Sequence, residues 1–248
     1  MTPPALSIRG ISLDYPVGAS TGDSLLTTAI QRVTGRNNFG SNTFHALKNV
    51  SINCTSGDRI ALLGKNGAGK SSLLKAIAGI YPITEGEIYS TGSIQAILEL
   101  SLGFEPDATG RQNIDFRSYL LGLTPPQISQ IKQQIIEFAA LGEFLDKPVK
   151  TYSSGMLLRL AFAITTAAPS DILLLDEVIG AGDASFAEKA GERLGKMIGG
   201  SGIVILASHS SQTLRQHCDR GIVLSNGGIE FDGDLEDAID LHTRACNA

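Results

Sequence analysis

Positive charge, cysteine and long apolar runs are all scarce in this chain, and each scarcity closes off a class of function. Twenty Lys and Arg stand against 25 Asp and Glu, leaving a net charge of −5. Without a positive field to collect phosphates, this balance argues against a nucleic-acid backbone as the main partner. The three cysteines (Cys54, Cys218 and Cys246) are odd in number and widely spaced. They make neither a disulfide framework nor a zinc site, which points to a reducing compartment. The opening MTPPALSIRG has no basic and then apolar leader, so no secretory signal is expected. No stretch reaches the roughly 18 consecutive apolar residues of a membrane span. The best one, Leu160 to Leu175, is broken by Pro169 and Asp171. A membrane role would have to come by docking.

What is present is an ordinary globular composition: 248 residues, 42% hydrophobic and 18% charged, enough for a normal core without staples. Residues 5–13 alternate Leu6, Ile8, Ile11 and Leu13 as a half-buried strand with a slip near Gly10, and residues 46–53 repeat the theme before a turn at Thr55 to Asp58. Between these strands a polar insert, 17–43, reads as a surface loop with a short amphipathic helix over 23–33. Arg59 to Leu63, Ile172 to Leu175 and Ile203 to Ala207 have the continuous apolar character of parallel strands covered on both faces. Residues 125–145 read as a helix, with Ile128, Ile131, Ile135, Phe138 and Leu141 at helical spacing, and 235–246 as a terminal helix. The order strand, helix, strand, helix, strand implies an α/β fold around a mostly parallel sheet.

Three segments carry chemistry. Gly64-Lys65-Asn66-Gly67-Ala68-Gly69-Lys70-Ser71 fits the phosphate-binding pattern GxxxxGK[ST] and lies between an expected strand and an expected helix. Glycines let consecutive amides turn inward while the helix aims its positive end at the same spot. Lys70 then supplies a mobile charge for phosphates, and the Ser71 hydroxyl can ligand Mg²⁺. Asp176 and Glu177 end a buried strand, where one acid can hold Mg²⁺ through water and the other can orient and deprotonate an attacking water. Tyr152 to Arg159 puts Ser153 and Gly155 ahead of a helical run, a geometry that serves equally as an N-cap and as an anion site. Its place just before the acidic strand favours the anion site.

In this order the segments resemble the nucleotide-binding subunits of ABC transporters, over essentially the whole chain. They resemble more narrowly the ATPases that export O-antigen, capsular or teichoic-type polymers. GFEPDATGRQNI (103–114), YSSGM (152–156), LLLDEVIGAGDASF (173–186), SHSSQTLRQHCDRGIVL (208–224) and the insert after Tyr15 carry the narrower likeness. The resemblance implies one ATPase domain over 1–248, with an antiparallel β subdomain at about 5–60, a helical subdomain at about 100–168 and a terminal helix at 235–246. It implies ATP and Mg²⁺ as cofactors, ATP being held by residues 64–72 (through Ser72). Two copies would pack head to tail, with Ser153 and Gly155 of one meeting the γ-phosphate on the other's Lys70. Glu177 would be the base, His209 would hold the γ-phosphate and the water, and Asp183 would cross the dimer axis.

At the loop that links the ATP site to the membrane subunit, Glu99 stands where the family has Gln; a carboxylate there can still reach Mg²⁺. Ser154 and Met156 replace the family's Gly and Gln. Either Tyr15, which fits the motif order, or Phe44, nearer the phosphate loop, would stack on adenine, and the motif order favours Tyr15. The implied role is that of an ATP-hydrolysing subunit on the cytoplasmic face of the inner membrane, docked on a permease that moves a lipid-linked polysaccharide. The chain stops soon after the ATPase core, so a carbohydrate-binding domain is not expected. A soluble ABC ATPase acting on ribosome or DNA is the alternative, set against the single signature segment and the negative net charge. A phosphate-loop kinase or switch has no use for that segment.

Overall fold

The computed structural model describes residues 3–16, 43–98, 103–176 and 184–247. Residues 17–42 of the 17–43 insert and the candidate residues Glu99, Glu177 and Asp183 lie outside them. The elements run β1 (Ala5–Pro16), β2 (Thr43–Thr55), β3 (Arg59–Leu63), α1 (Lys70–Ile77), β4 (Glu85–Thr91), β5 (Ile94–Ile97), α2 (Gly110–Leu120), α3 (Pro125–Ala139), α4 (Ser154–Thr165), β6 (Ile172–Asp176), α5 (Ala184–Gly200), β7 (Ile203–Ala207), α6 (Ser211–His217), β8 (Arg220–Ser225), β9 (Gly228–Asp234) and α7 (Leu235–Asn247). Two short 3-10 turns, Gly142–Asp146 and Val149–Thr151, lead into α4.

The larger sheet has the order β5-β6-β7-β3-β8-β9, parallel except for β9. Its central strands are buried on both faces, which is why they read as unbroken apolar runs. Ile60 and Leu62, Ile172 and Leu174, and Ile203 and Ile205 face one core, together with Leu73 and Leu74 of α1 and the apolar residues of β1 and β2. The intervening Ala61 and Leu63, Leu173 and Leu175, and Val204 and Leu206 face the other, with Phe162, Phe186 and Ala238. The period of two along each strand therefore decides which layer each side chain joins. The expected α/β fold with a mostly parallel sheet, an antiparallel β subdomain and a helical subdomain is the fold observed.

The antiparallel sheet, ordered β2-β1-β4, takes its third strand from beyond α1, outside the 5–60 stretch. The slip near Gly10 is a register shift between Ile8 and Ile11, where Gly10 adopts φ +57°. Residues 125–145 are not one helix. A capping box at Thr124 and Gln127 opens α3, but Ala140 enters the left-handed region at φ +50° and ends it. A third core, with Ile114, Ile135, Leu145, Leu160 and Ile164, joins α2, α3 and α4.

Candidate functional site

β3 delivers the chain into the 64–69 loop, and α1 starts at Lys70. Two glycines are forced by contact as well as by dihedral. A Cβ at Gly64 (φ +150°) would meet the Leu224 carbonyl oxygen at 2.5 Å, and one at Gly69 (φ +106°) the Ala46 carbonyl oxygen at 2.7 Å. Any side chain there would push the loop off β8 or β2. α1 has no side chain capping its N-terminus and no acid in its first turn, so its leading amides and its positive pole are left for an anion. Lys70 Nζ donates to the carbonyl oxygens of Gly64 at 2.5 Å and Lys65 at 3.3 Å, which folds the side chain back across the loop.

The loop and the first turn of α1 (Asn66 to Ser72) line a cavity of about 300 Å³, together with Phe44, Ala46, Asp176 and His209. Phe44 and Ala46 come from β2, while the loop, Asp176 and His209 come from three parallel strands: β3 leads into the loop, Asp176 ends β6, and His209 follows β7, which lies between the other two. All three present their carboxyl ends to one edge, where open α/β sheets bind ligands. The sequence-expected Lys65 and Gly64 line a second cavity of about 430 Å³ on the far side of the loop, against Asn226, Glu230 and His242 of α7. Burial first, then the charges of Lys70, His209 and Lys65, hold His242 below its ordinary value. The cationic field of the loop thus reaches through to α7.

Tyr15 does not line the first cavity. Its ring packs edge-on against Tyr81 at 5.7 Å and joins the core between the sheets. Phe44, its register partner on β2, is 53% exposed and lines the cavity instead. The cause is a long-range contact: the carbonyl oxygen of Ala46, two residues on, lies against Gly69 of the loop, and Ala46 lines the same cavity, which brings the start of β2 to its mouth. Motif order carried no sign of this contact and pointed the other way.

Ser153 and Gly155 are not in either cavity wall. Ser153 caps α4, its hydroxyl accepting from the Met156 amide at 3.2 Å, and a Cβ on Gly155 would find only the Ser153 oxygen, at 4.0 Å. The α4 terminus is therefore an open surface, which suits contact with a second molecule. A residue cluster overlooked in the sequence holds it in place. Asn113 is fully buried; its amide donates to the carbonyl oxygens of Glu105, Ala108 and Thr109, and its oxygen accepts from the Glu105 amide. Val149 and Lys150 amides bond to Ala108 and Pro106, and Tyr152 donates to the Phe144 carbonyl at 2.6 Å. The strap after residue 103 is thereby joined to the residues just ahead of Ser153. Among the described residues no three His, Cys, Asp or Glu side chains group as a metal cage, and Ser71 and Asp176 are the hard oxygen donors of the first cavity.

Against known proteins, the ABC transporter family model matches residues 47–180. The O-antigen export system ATP-binding protein RfbE of Yersinia enterocolitica is 40% identical over 241 residues, 96% of this chain and 99% of that protein. RfbB of Klebsiella pneumoniae, of the same description, is 34% identical over 248 residues, 98% of each. The teichoic acids export ATP-binding protein TagH of Lactococcus lactis is 36% identical over 205 residues, 83% of this chain and 42% of that one. Among solved structures, an ATP-binding subunit of an ABC transporter superposes with a TM-score of 0.71 over 98% of this chain and 99% of that one, at 19% identity. A dimeric ATP-binding cassette in a post-hydrolysis state, bound to ADP and Pi, gives 0.66 over 93% and 98%, at 21% identity; both likenesses are of fold. A family match over more than half the chain, and a relative alike from end to end, make this protein a member of the ABC transporter family, one of its ATP-binding and ATP-hydrolysing subunits.

Proposed function

We propose that this chain is the ATP-hydrolysing subunit of an exporter that moves an O-antigen-like, lipid-linked polysaccharide across the cytoplasmic membrane, held peripherally at its cytoplasmic face by an integral-membrane permease. The observation that carries this reading is the end-to-end similarity to O-antigen export subunits. No helix among the described residues is long and apolar enough to cross a membrane, so the attachment runs through another chain. A surface for it is available on α2, where Phe116, Tyr119, Leu120 and Leu121 are exposed and Leu120 packs close to Gly103, at the start of the strap that leads to Ser153.

The chemistry follows from the cavity. ATP lies with its phosphates on residues 64–72 and its adenine at Phe44. The loop amides, the α1 pole and Lys70 stabilise the charge that spreads over the γ-phosphoryl oxygens in an in-line displacement by water, where positioning and electrostatics do nearly all the catalysis. Ser71 and Asp176 are the residues that would hold Mg²⁺, whose bound charge offsets that of the β- and γ-phosphates; Glu99 is a further candidate donor. Glu177, next after Asp176, orients the attacking water and takes its proton, and His209 holds the γ-phosphate and that water. Ser153 and Gly155 of a second copy close the site from the other side, with Asp183 at the dimer axis, so that ATP cements two identical molecules.

The test is transport itself. In inverted membrane vesicles carrying this chain and its permease, ATP is expected to drive lipid-linked polymer into the lumen. Full ATPase activity with no polymer movement would sink the assignment. Leu120→Glu is expected to abolish co-purification with the permease while the isolated subunit keeps its basal ATPase rate; retained co-purification would move the docking surface elsewhere.

A further inference from the structure

Ser153, which the proposed mechanism sends to a second copy's γ-phosphate, is exposed, and its bond to the Met156 amide ties it to its own helix. That bond does not fix where the α4 terminus points. The residue before it does. Tyr152 is partly buried; its ring packs on the third core and stands edge-on to Phe144, with centroids 6.5 Å apart. Its hydroxyl donates to the Phe144 carbonyl at 2.6 Å. The same oxygen interacts with the Gly110 amide, which also donates to the Lys147 carbonyl at 3.3 Å. The Tyr152 amide donates to the Val149 carbonyl at 3.0 Å. One residue is thus bonded to both 3-10 turns and to α2.

Gly110 is the first residue of α2, so the phenol oxygen lies at the positive pole of that helix, beside amides that lack an intrahelical partner. Burial first, and then the Asp146 carboxylate, raise the Tyr152 pKa, while the Gly110 amide lowers it. With the net shift upward, the phenol keeps near neutral pH the proton it donates to Phe144. The carboxyl half of α2 carries Phe116, Tyr119 and Leu120, all exposed. The helices α2 and α4 also pack through Ile114, Leu160 and Ile164. Apolar packing is non-directional, however, and leaves the aim of the turn ahead of α4 to hydrogen bonds, which are directional.

We infer that Tyr152 is a positioning residue for the shared ATP site: its hydroxyl fixes the α4 terminus to the start of α2 and so aims Ser153 at the γ-phosphate held by the other copy. This rests on the two-chain mechanism proposed above, and it names the residue through which α2, the surface assigned to the permease, bears on hydrolysis. A misplacement of about 1 Å can cost on the order of 100-fold in rate. Loss of this hydroxyl is therefore read in turnover, and not in the grip of one chain's phosphate loop on nucleotide.

Tyr152→Phe keeps the ring and removes the hydroxyl. In the full chain it is expected to leave the Kd for Mg-ADP, by calorimetric titration, as in wild type, because one phosphate loop suffices for ADP. It is expected to lower kcat for ATP about tenfold. In the Glu177→Gln background it should raise, also about tenfold, the protein concentration at which light scattering detects the ATP dimer. A lower Tm with unchanged kcat and dimerisation makes the bond merely structural and overturns the inference. A loss of Mg-ADP affinity that matches the loss of kcat overturns it as well. A Glu177→Gln parent that stays monomeric removes the two-chain site and this inference with it; a dimeric parent that Tyr152→Phe leaves unchanged sinks the role of Tyr152 alone. Polymer transport enters none of these readings, so the exporter assignment stands or falls separately.

Discussion

Phe44 and Tyr15 face each other across β1 and β2, yet only Phe44 lines the phosphate-loop cavity. Phe44→Ala is expected to raise the KM for ATP about fivefold, from the loss of about 1 kcal/mol of ring stacking, with little effect on Tm. Tyr15→Ala is expected to do the reverse, since its ring packs with Tyr81 in the core; equal KM values for the two variants would remove Phe44 from the site. Lys70→Ala is expected to weaken nucleotide binding and to cut kcat by about 100-fold or more, because a preorganised cation at developing charge is lost. His242 supplies a pH dependence. Its folded pKa is depressed below the ordinary 6.5, by burial first and then by the nearby Lys and His charges. The unfolded chain therefore binds that proton more readily, and stability falls as pH drops through about 6.5. Urea midpoints at pH 7.5 and 5.5 should show this loss, and His242→Gln should make it shallower.

At the scale of elements, the strap from Gly103 to Thr109 is the part that the motif reading singled out without explaining. Asn113, at the start of α2, ties four backbone groups of that strap. Gly110 has no room for a side chain: a Cβ there would run into the Tyr152 hydroxyl and crowd the Leu145 backbone. The strap from Gly103 onward is thus tied to the segment just ahead of Ser153. Asn113→Ala leaves buried amides and carbonyls unpaired and is expected to cost about 3 kcal/mol, a fall of roughly 6 °C or more in Tm by calorimetry. If Tm is unchanged, the strap is held by its backbone bonds to Val149 and Lys150 alone. The expected 125–145 helix failed at this same scale. Its apolar spacing continues to Leu141, but Ala140 turns left-handed, and periodicity carries no signal for a C-cap made by a residue other than Gly or Asn.

For the whole molecule, Ser153 and Gly155 lie outside the phosphate-loop cavity, and in the proposed mechanism a second chain brings them to it. Glu177→Gln is expected to bind ATP, stall hydrolysis and accumulate as a dimer in light scattering with nucleotide and Mg²⁺. Lys70→Ala under the same conditions should stay monomeric. A Glu177→Gln protein that remains monomeric, with the permease and without it, would remove the shared-site mechanism.

The phosphate loop, the acidic strand end and the parallel-sheet class were legible in the linear chain because each depends on local geometry: glycines where amides must converge, apolar runs where both strand faces are covered, and a helix start directly after the loop. Phe44 over Tyr15, the Asn113 tie and the seat of the Tyr152 hydroxyl were not legible. Each depends on which distant backbone passes alongside: Ala46 against Gly69, the 147–152 segment against the strap, and the Phe144 carbonyl against Tyr152. Long-range packing of that kind has no period and no fixed spacing, so it exists only once the layers have closed on one another.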